Sequence, residues 1–375
     1  MEHWFDFDKR IFKHFSYPLM IQIIPLFIIS SYLVNEINHH LFHKQMVYYS
    51  ISAIVFFITA FIPWRHIIWW FVPIFYVGNL VLLIAVEFIG KTILGAKRWI
   101  EIGGGLTIQP SEFIKVSVIM MLGYIISRNP PPEKGYGLWD FIKLSILIII
   151  PFLLIAKEPD LGTALVLLIT GYGVLFVVGI NWKIWTTIAI MLTIFAPILY
   201  GQLKPYQKKR VSDFMGKPSY HVRQALIAIG SGGVEGNSKE DSTQTQLKFL
   251  PVSSTDFIFA YLGERLGFKG MILVISLYIL LILNLLYISA KYANDYLIKA
   301  FSSGLAFLIF VYMGVNIYMV IGLAPVVGLP LPLFSHGGTS FIIFAIIFGI
   351  LQNLIAFKDY SRYNTDSKVS MVSKE

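Results

Sequence analysis

The chain has 375 residues, of which 56% are hydrophobic and only 14% charged, so it carries more apolar surface than a soluble core of this size can bury. The formal net charge of +9 does not indicate nucleic-acid binding, because the basic residues are scattered in short hydrophilic gaps between apolar stretches. Cysteine is absent, which excludes disulfides and thiolate chemistry. The composition predicts a membrane protein without a nucleic-acid partner.

Ten apolar stretches of near-bilayer length follow one another along the chain. A hydrocarbon core of about 30 Å needs about 20 helical residues. The first 17 residues lack an apolar run with a cleavage site, so the first stretch is expected to be retained. We therefore predict an all-α polytopic membrane protein, one domain over residues 1–375. Its ten helices are predicted at residues 18–34, 46–62, 67–89, 111–127, 141–156, 161–180, 183–200, 270–290, 297–323 and 339–357.

The distribution of Lys and Arg predicts the orientation of these helices. With both termini inside, the inner segments hold 13 basic residues and the short outer loops five, as the positive-inside rule requires. Residues 201–269 then form one large outer loop, and residues 358–375 form a cytoplasmic tail. No convincing internal repeat supports an inverted-repeat transporter.

The large outer loop carries patterns of folded structure. Val222, Ala225, Leu226 and Ile229 recur at helical spacing, which predicts an amphipathic helix that stops at Gly230. The apolar run at residues 257–262 follows directly on Ser-Ser-Thr-Asp, a typical helix start. We expect this loop to cover one end of the helical bundle.

Asp256, at the edge of that apolar run, has two interpretations. It can cap the helix that follows, which is the simpler explanation and would keep the carboxylate ionised while making it a weaker base. It can also be a functional acid in the large outer loop, and the two roles can coexist.

Glu112 and Lys115 stand three residues apart near the start of the fourth span, so they share a helix face and can pair. Charged groups within spans are costly and usually face a cavity or a partner. The pair is therefore either part of a functional site or a structural ion pair near the outer boundary, and the residues alone favour neither interpretation.

Further polar residues lie in the predicted outer loops. Lys97 and Arg98 can hold a phosphate, or can anchor the loop at the membrane interface together with Trp99. Arg210 offers a guanidinium suited to bidentate phosphate contact, although a lone basic residue in a long loop is commonly solvated.

Glu158 and Asp160 crowd the tight turn between the fifth and sixth spans. Their hard carboxylate oxygens can hold Mg²⁺ or Mn²⁺ beside a phosphate. The simpler alternative is that Asp160 caps the sixth helix.

Several of these segments together resemble one family. In order along the chain they are GAKRWI at 95–100, QPSEFIK at 109–115, PDLGTA at 159–164, AIGSGG at 228–233, TQTQ at 243–246, FLPVSSTDFIFA at 249–260 and PVVGLPLPLFSHGG at 325–338. They look like motifs of the SEDS (shape, elongation, division and sporulation) family. The last of them is more similar to the RodA-like elongation branch than to the FtsW-like division branch.

This resemblance implies a ten-helix peptidoglycan glycosyltransferase that polymerises lipid II at the outer face of the bacterial cytoplasmic membrane, for cell elongation and shape. It implies a class B penicillin-binding protein and other elongation-complex proteins as partners, and Asp256 as the essential carboxylate and general base. Cations and a divalent metal would stabilise the pyrophosphate leaving group. Substrate contacts are expected at Lys97, Arg98, Glu112, Lys115, Arg210, Gln244, Thr245, Ser335 and His336.

The chain departs from the family pattern at several positions. Val-Ser-Ser at residues 252–254 replaces a usual Glu-Arg-His, Gly-Asn-Ser at 236–238 replaces Gly-Lys-Gly, a paired acid appears as Glu264-Arg265, and His336 stands where Tyr is usual. One conjecture is that Arg265 or His336 replaces the cations that these departures remove. The competing functions are a flippase or transporter of the lipid-linked precursor, a non-catalytic scaffold for the crosslinking enzyme, and a division-type polymerase.

Overall fold

A computed structural model describes residues 14–62, 64–93, 96–103, 106–158, 160–201, 208, 216, 219–246, 249–250 and 252–372. The chain folds into helices joined by short connections and one small sheet. The helices are α1 Tyr17–Ile37, α2 His39–Phe61, α3 Trp64–Ile89, α4 Pro110–Arg128, α5 Leu138–Lys157, α6 Leu161–Val178, α7 Trp182–Gly201, α8 Tyr220–Gly232, α9 Thr243–Gln246, α10 Ile258–Lys291, α11 Tyr296–Val320 and α12 Gly338–Val372.

Each of the ten predicted apolar stretches lies on a helix, so the predicted all-α membrane fold is confirmed. Within the described residues, nine helices are long and apolar enough to cross a bilayer: α1 to α6, α10, α11 and α12. The tenth, α7, carries a shorter apolar stretch at Trp182–Phe195. The helix of the last span continues to Val372, into the predicted tail.

The centre of the bundle is α11, which packs against α10, α6 and α4, while α2 packs against α12. Helix α7 lies at the periphery, since none of its described side chains is buried. Its Trp185 ring contacts Phe141 and Tyr172 at centroid distances of 6.0 and 6.2 Å. Apolar side chains that face outward from such a bundle contact lipid, which offers no driving force to bury them.

Ion pairs join connections at the same end of the bundle. Asp295 pairs with Arg65 at 2.7 Å and with Lys358 at 3.5 Å, which brings together three segments predicted to be inner. At the other end, Glu36 in the last turn of α1 pairs with Arg265 at 2.6 Å. This second end, which also carries residue 256, is called the Asp256 end below. That it faces the cell exterior stays a prediction of the positive-inside rule.

A three-stranded antiparallel sheet occupies the connection that the sequence predicted to be a loop. Strand β1 Lys91–Ile93 pairs with β2 Ala96–Gly103, which pairs with β3 Leu106–Ile108. Two of the strands have only three residues, too few for the alternation of apolar and polar side chains to be recognised. The register also shifts in both pairings, which obscures the alternation further.

Helix α10 starts at Ile258, whereas the sequence predicted the span to start at residue 270. Gly267 interrupts it with φ 61° and ψ −162°, a conformation that only glycine adopts without strain. The short segment before this break is almost wholly buried, including Glu264. The predicted outer loop is therefore shorter than residues 201–269, because its last part is a half-helix packed in the bundle.

Arg265, on this half-helix, is held by the end of α1. Its guanidinium donates to both carboxylate oxygens of Glu36, at 2.6 and 2.7 Å, to the Tyr32 hydroxyl at 2.8 Å and to the carbonyl of Asn237. The Tyr261 hydroxyl donates to Glu36 at 3.0 Å. With its donors used in this way, Arg265 is a structural clamp, and this geometry does not support the conjecture that it replaces a missing substrate-binding cation.

We expect Arg265→Met to destabilise the protein strongly. The substitution leaves the Glu36 carboxylate, whose side chain is 11% exposed, without its cation, and breaking a buried pair in this way costs about 3–5 kcal/mol. The matched control is Lys269→Met, which breaks an exposed pair with Glu235 and should cost about 0–1 kcal/mol. Thermal unfolding in detergent measures both, and equal losses would contradict the clamp.

Candidate active site

Asp256 lies in a tight turn immediately before α10. The backbone amides of Thr255 and Phe257 both donate to the carbonyl of Val252, at 3.1 and 3.3 Å, and Val252 has φ 54°. The residue at the N-cap position of α10 is Phe257, and no side chain caps the helix. The interpretation of Asp256 as a cap is therefore wrong, because the helix starts one residue too late for this carboxylate to reach its free amides.

The turn is held in place by α11 and by the segment before α12. Three hydrogen bonds, all to backbone carbonyls of the turn, do this: Ser335 Oγ to Thr255 at 2.7 Å, the His336 amide to Ser254 at 2.8 Å, and Asn316 Nδ2 to Asp256 at 2.8 Å. Since these bonds end on backbone carbonyls, none of them uses the Asp256 carboxylate.

The surroundings of the Asp256 carboxylate suit a base. Burial raises the pKa of Asp256 above its ordinary value, and a side-chain hydrogen bond with Thr255 partly offsets this. Gly328 lies against it: a Cβ at this glycine would be 3.5 Å from Asp256 Oδ2, and its φ of +71° disfavours any side chain there. A carboxylate with a raised pKa is a stronger base than an exposed one.

The predicted pairing of Glu112 with Lys115 is confirmed. Lys115 Nζ donates to Glu112 Oε1 at 2.6 Å and also contacts the hydroxyl of Tyr312, which lies 3.3 Å from the same carboxylate oxygen. The Lys115 side chain is only 2% exposed. Tyr312 and Asn316 are four residues apart on α11, so they share one helix face. This places the ion pair about one helical turn from the residue that holds the backbone of Asp256.

Asp160 caps α6, as the simpler of the two interpretations predicted. Its Oδ1 accepts from the amide of Thr163 at 3.2 Å. Its Oδ2 lies 3.3 Å from Arg98 and accepts from Gln109 Nε2 at 3.3 Å. Arg98 is thus brought to the α5–α6 turn, and most of the acceptor capacity of Asp160 is used by protein groups.

Glu158 differs from Asp160 in having unused oxygens. The residue is 4% exposed, and neither carboxylate oxygen has a hydrogen-bond partner. Burial and the nearby charge of Asp160 raise the pKa of Glu158 to about 8. Among the described residues no three Asp, Glu, His or Cys side chains come together as a metal cage. A cation here would need ligands from water or substrate in addition to this carboxylate.

The α5–α6 turn and the Asp256 turn meet through the segment before α12. A Cβ at Gly162, at the start of α6, would lie 3.1 Å from Val327, next to the Gly328 that faces Asp256. Asp160 accepts from Gln109 Nε2, and the Gln109 carbonyl in turn accepts from the amide of Glu112 at 3.1 Å. The structure therefore brings Asp256, the Glu112–Lys115 pair and the Arg98–Asp160–Glu158 group to one end of the bundle.

Other predicted substrate-binding residues make contacts within the protein. Lys97 Nζ donates to the carbonyls of Glu87 and Phe88, at 2.6 and 3.2 Å, and so satisfies the end of α3. Arg210 lies outside the described residues.

Gln244 and Thr245 are engaged by a buried acid. The Thr245 hydroxyl donates to Glu264 at 2.7 Å and the Gln244 amide donates to the same carboxylate at 2.9 Å, so this pair fixes the half-helix that follows Asp256. The side-chain oxygen Oε1 of Gln244 is buried without a partner.

Ser335 and His336 flank the Asp256 turn, and their predicted contact with substrate stays a prediction. Besides its bond to Thr255, Ser335 Oγ accepts from the amide of Leu331 at 2.8 Å, so its role in this structure is positional. The His336 Nδ1 atom is buried without a partner, and burial together with the charge of Lys44 lowers the pKa of this imidazole. A neutral ring beside the turn can donate or accept a hydrogen bond.

Two residues at this site, Tyr312 and Asn316, were missed by the sequence analysis. Both lie in a predicted span, where a buried asparagine requires partners, and Asn316 Nδ2 also donates to the carbonyl of Leu329 at 2.7 Å. The sequence feature that could have indicated them is the presence of two polar side chains four residues apart in an otherwise apolar span.

Comparisons with known proteins agree with this architecture. The profile of the FtsW, RodA and SpoVE family, described as cell cycle proteins, matches residues 8–360. The peptidoglycan glycosyltransferase MrdB of Helicobacter pylori is 49% identical over 360 residues, which cover 96% of this chain and 94% of that protein.

Solved structures share the fold. The crystal structure of Thermus thermophilus rod shape determining protein RodA superimposes with a TM-score of 0.67 at 26% identity, covering 92% of this chain and 97% of that one. A chain from a peptidoglycan synthase complex that coordinates polymerization and crosslinking gives a TM-score of 0.77 over 91% of this chain and 97% of its own. At 24% identity this second likeness concerns the fold alone. By the extent of these matches, the chain belongs to the FtsW, RodA and SpoVE family.

Proposed function

We propose that this chain is a peptidoglycan glycosyltransferase that polymerises lipid II into glycan strands for cell elongation and shape. It would work as a multi-pass protein of the bacterial cytoplasmic membrane, with both termini cytoplasmic and the Asp256 end outside. The observation that carries the proposal is the Asp256 carboxylate, which is partly buried, has a raised pKa and lies in a turn whose backbone carbonyls accept hydrogen bonds from Asn316 and Ser335.

In the proposed reaction Asp256 is the general base. The carboxylate takes the proton from the acceptor sugar 4-hydroxyl while that oxygen forms a bond to the anomeric carbon of the donor. The bond from this carbon to the lipid pyrophosphate breaks with inversion, and its electron pair leaves with the pyrophosphate. The raised pKa of Asp256 favours the proton transfer.

The departing pyrophosphate gains negative charge, so it needs cations nearby. Lys115 and Arg98 are the described candidates near Asp256, although each already contacts a carboxylate, Glu112 and Asp160 respectively. Substrate phosphate would compete with these carboxylates for the same donors. Lys97 would contribute only by leaving the end of α3, and Arg210 is retained as a candidate on the resemblance alone.

A divalent cation, Mg²⁺ or Mn²⁺, fits the Glu158 carboxylate better than that of Asp160. Hard cations prefer oxygen ligands, and Mg²⁺ is commonly bound by one or two carboxylates plus substrate phosphates and water. Glu158 has two buried oxygens without partners, whereas Asp160 is committed to its cap and to Arg98. Bound there, the cation would neutralise developing charge on the pyrophosphate.

Removal of divalent cations by EDTA should abolish polymerisation, and added Mg²⁺ or Mn²⁺ should restore it. With Glu158→Gln, the cation concentration that gives half-maximal activity should rise by about ten-fold or more, because a carboxylate ligand is lost. Glu133→Gln, at an exposed acid, is the matched control and should titrate like wild type. Activity that persists in EDTA would remove the metal from the mechanism.

The products of the reaction distinguish polymerisation of lipid II from its transport. We expect the purified protein in liposomes to convert labelled lipid II into glycan chains that electrophoresis resolves by length, with release of lipid pyrophosphate. A flippase, for which Glu112 and Lys115 would line a path, moves lipid II without changing it. Translocation without polymer would overturn the proposal in favour of that alternative.

The proposed partners are a class B penicillin-binding protein, which crosslinks the strands, and other membrane proteins of the elongation complex. The synthase complex whose chain shares this fold supports the first of these, since that complex coordinates polymerization and crosslinking. A division-type role is the alternative. The 49% identity to an MrdB protein favours the RodA-like branch, as do the Val326-Val327 and Leu329-Pro330 forms of the last motif.

A further inference from the structure

Two histidines at the start of α2 turn their ring nitrogens toward each other. His39 Nε2 and His43 Nε2 are 3.0 Å apart, with ring centroids 4.4 Å apart. Both side chains are exposed. The pair lies next to the α1–α2 connection, at the Asp256 end of the bundle, where Glu36 of α1 pairs with Arg265. Neither histidine contributes to the site described above.

The local sequence fixes this arrangement. The Asn38 side chain caps α2 by accepting from the amides of His40 and Leu41, so the helix starts at His39. Residues four apart then lie on one face, one turn above each other. His40, the intervening histidine, points elsewhere on the helix and takes no part in the pair.

A neighbouring amide determines which nitrogen of His39 is free. His39 Nδ1 lies 2.7 Å from Asn35 Oδ1, at the end of α1. An amide oxygen can only accept a hydrogen bond, so Nδ1 carries the proton and Nε2 presents a lone pair in the neutral ring. This is the arrangement that metal-binding histidines adopt, with the second ring nitrogen oriented by a nearby oxygen.

The separation of the two nitrogens matches a shared metal ion. With metal–nitrogen distances of about 2.0–2.1 Å, ligands at right angles are about 2.9 Å apart and tetrahedral ligands about 3.4 Å apart. The observed 3.0 Å, which without a metal ion is a hydrogen bond between the two rings, falls between these values and near the first. We infer that His39 and His43 form a binding site for a late first-row divalent cation, of the class of Ni²⁺, Cu²⁺ and Zn²⁺.

Water completes the coordination, since no third His, Cys, Asp or Glu joins the pair among the described residues. Imidazole nitrogen suits these borderline metals, whereas Mg²⁺ and Mn²⁺ prefer oxygen. The site is therefore chemically distinct from the cation proposed at Glu158. By joining α2 to α1 through Asn35, a bound ion would stabilise this connection by mass action.

The test is calorimetric titration of the full-length protein in detergent with Ni²⁺, in excess Mg²⁺ and with an affinity tag that contains no histidine. We expect one Ni²⁺ per chain for the wild type, and loss of this binding in both His39→Ala and His43→Ala. His40→Ala is the matched control and should bind like the wild type. Equal titrations of the wild type and His39→Ala, or equal losses in all three variants, would overturn the site.

Asn35→Ala supplies a second variant that leaves both ligands in place. Loss of the partner that orients a ligating histidine typically weakens metal binding by about 10–100-fold, and we expect a change of that size. Unchanged affinity would refute the role assigned to Asn35. Glycan polymerisation is not the readout in any of these titrations, so their failure leaves the proposed glycosyltransferase function untouched.

Discussion

Replacing Asp256 by Asn should reduce glycan synthesis from lipid II by about 10²–10⁴-fold, the usual contribution of a general base. An amide of the same shape cannot take the proton of the acceptor hydroxyl. The bond from Asn316 to the backbone carbonyl of residue 256 survives the change, so the turn should stay folded. Polymer formation in proteoliposomes measures the first expectation, and thermal unfolding in detergent measures the second.

Asp241→Asn is the matched control, since it makes the same chemical change at an exposed acid that precedes α9. It should retain wild-type activity. Full activity of Asp256→Asn would refute the base and would favour the scaffold interpretation, in which carboxylates can be neutralised without effect. Loss of activity together with unfolding would show that the carboxylate is needed for the fold, which contradicts the arrangement described here.

The pH dependence of the wild type gives an independent measure of the same carboxylate. The base form exists above the pKa of Asp256, so activity should fall as the pH is lowered through it. Because burial raises this pKa, the midpoint of the acid limb should lie above the ordinary value of about 3.9 for aspartate.

The membrane helices could be predicted because apolar length and composition are nearly sufficient to specify a span. In lipid a helix must satisfy the hydrogen bonds of its own backbone. Each apolar stretch is therefore helical whatever segments lie beside it, and each helix could be predicted separately. The start of α10 was misplaced for the same reason. Glu264 and Arg265 interrupt the apolar sequence at this point. Their burial is possible because Thr245 hydrogen-bonds to Glu264 and Glu36 pairs with Arg265, and the sequence does not show these partners.

The roles of individual polar residues were harder to predict because the sequence does not say which acceptors are already used. Asp160 and Asp256 both precede a helix, yet the structure makes only the first a cap. Lys97 was predicted to bind phosphate, but in the structure its ammonium group donates to backbone carbonyls at the end of α3. The pairing of Glu112 with Lys115 was predictable, since it depends on spacing within one helix.

The Glu112–Lys115 pair can be tested for function separately from its contribution to stability. Glu112→Gln leaves Lys115 buried without its carboxylate and in contact with the Tyr312 hydroxyl, and Lys115→Met leaves the carboxylate without its cation. Each single change should cost about 3–5 kcal/mol of stability. The double variant Glu112→Gln/Lys115→Met removes both charges and should regain most of the loss, because neutral side chains of similar size carry no uncompensated charge.

The double variant therefore distinguishes the two interpretations of the pair. If Lys115 helps to hold the departing pyrophosphate, the restored protein should remain inactive in the lipid II assay. Wild-type activity of the double variant would instead make the pair purely structural. Asp140→Asn/Lys143→Met is the matched control, since this exposed pair on α5 has the same i, i+3 spacing at 3.9 Å and contributes about 0–1 kcal/mol.

Because Tyr312 and Asn316 share a face of α11, a charge imbalance at Lys115 should also reach the Asp256 turn. The single variants are thus expected to lose activity for two reasons, and only the double variant separates them.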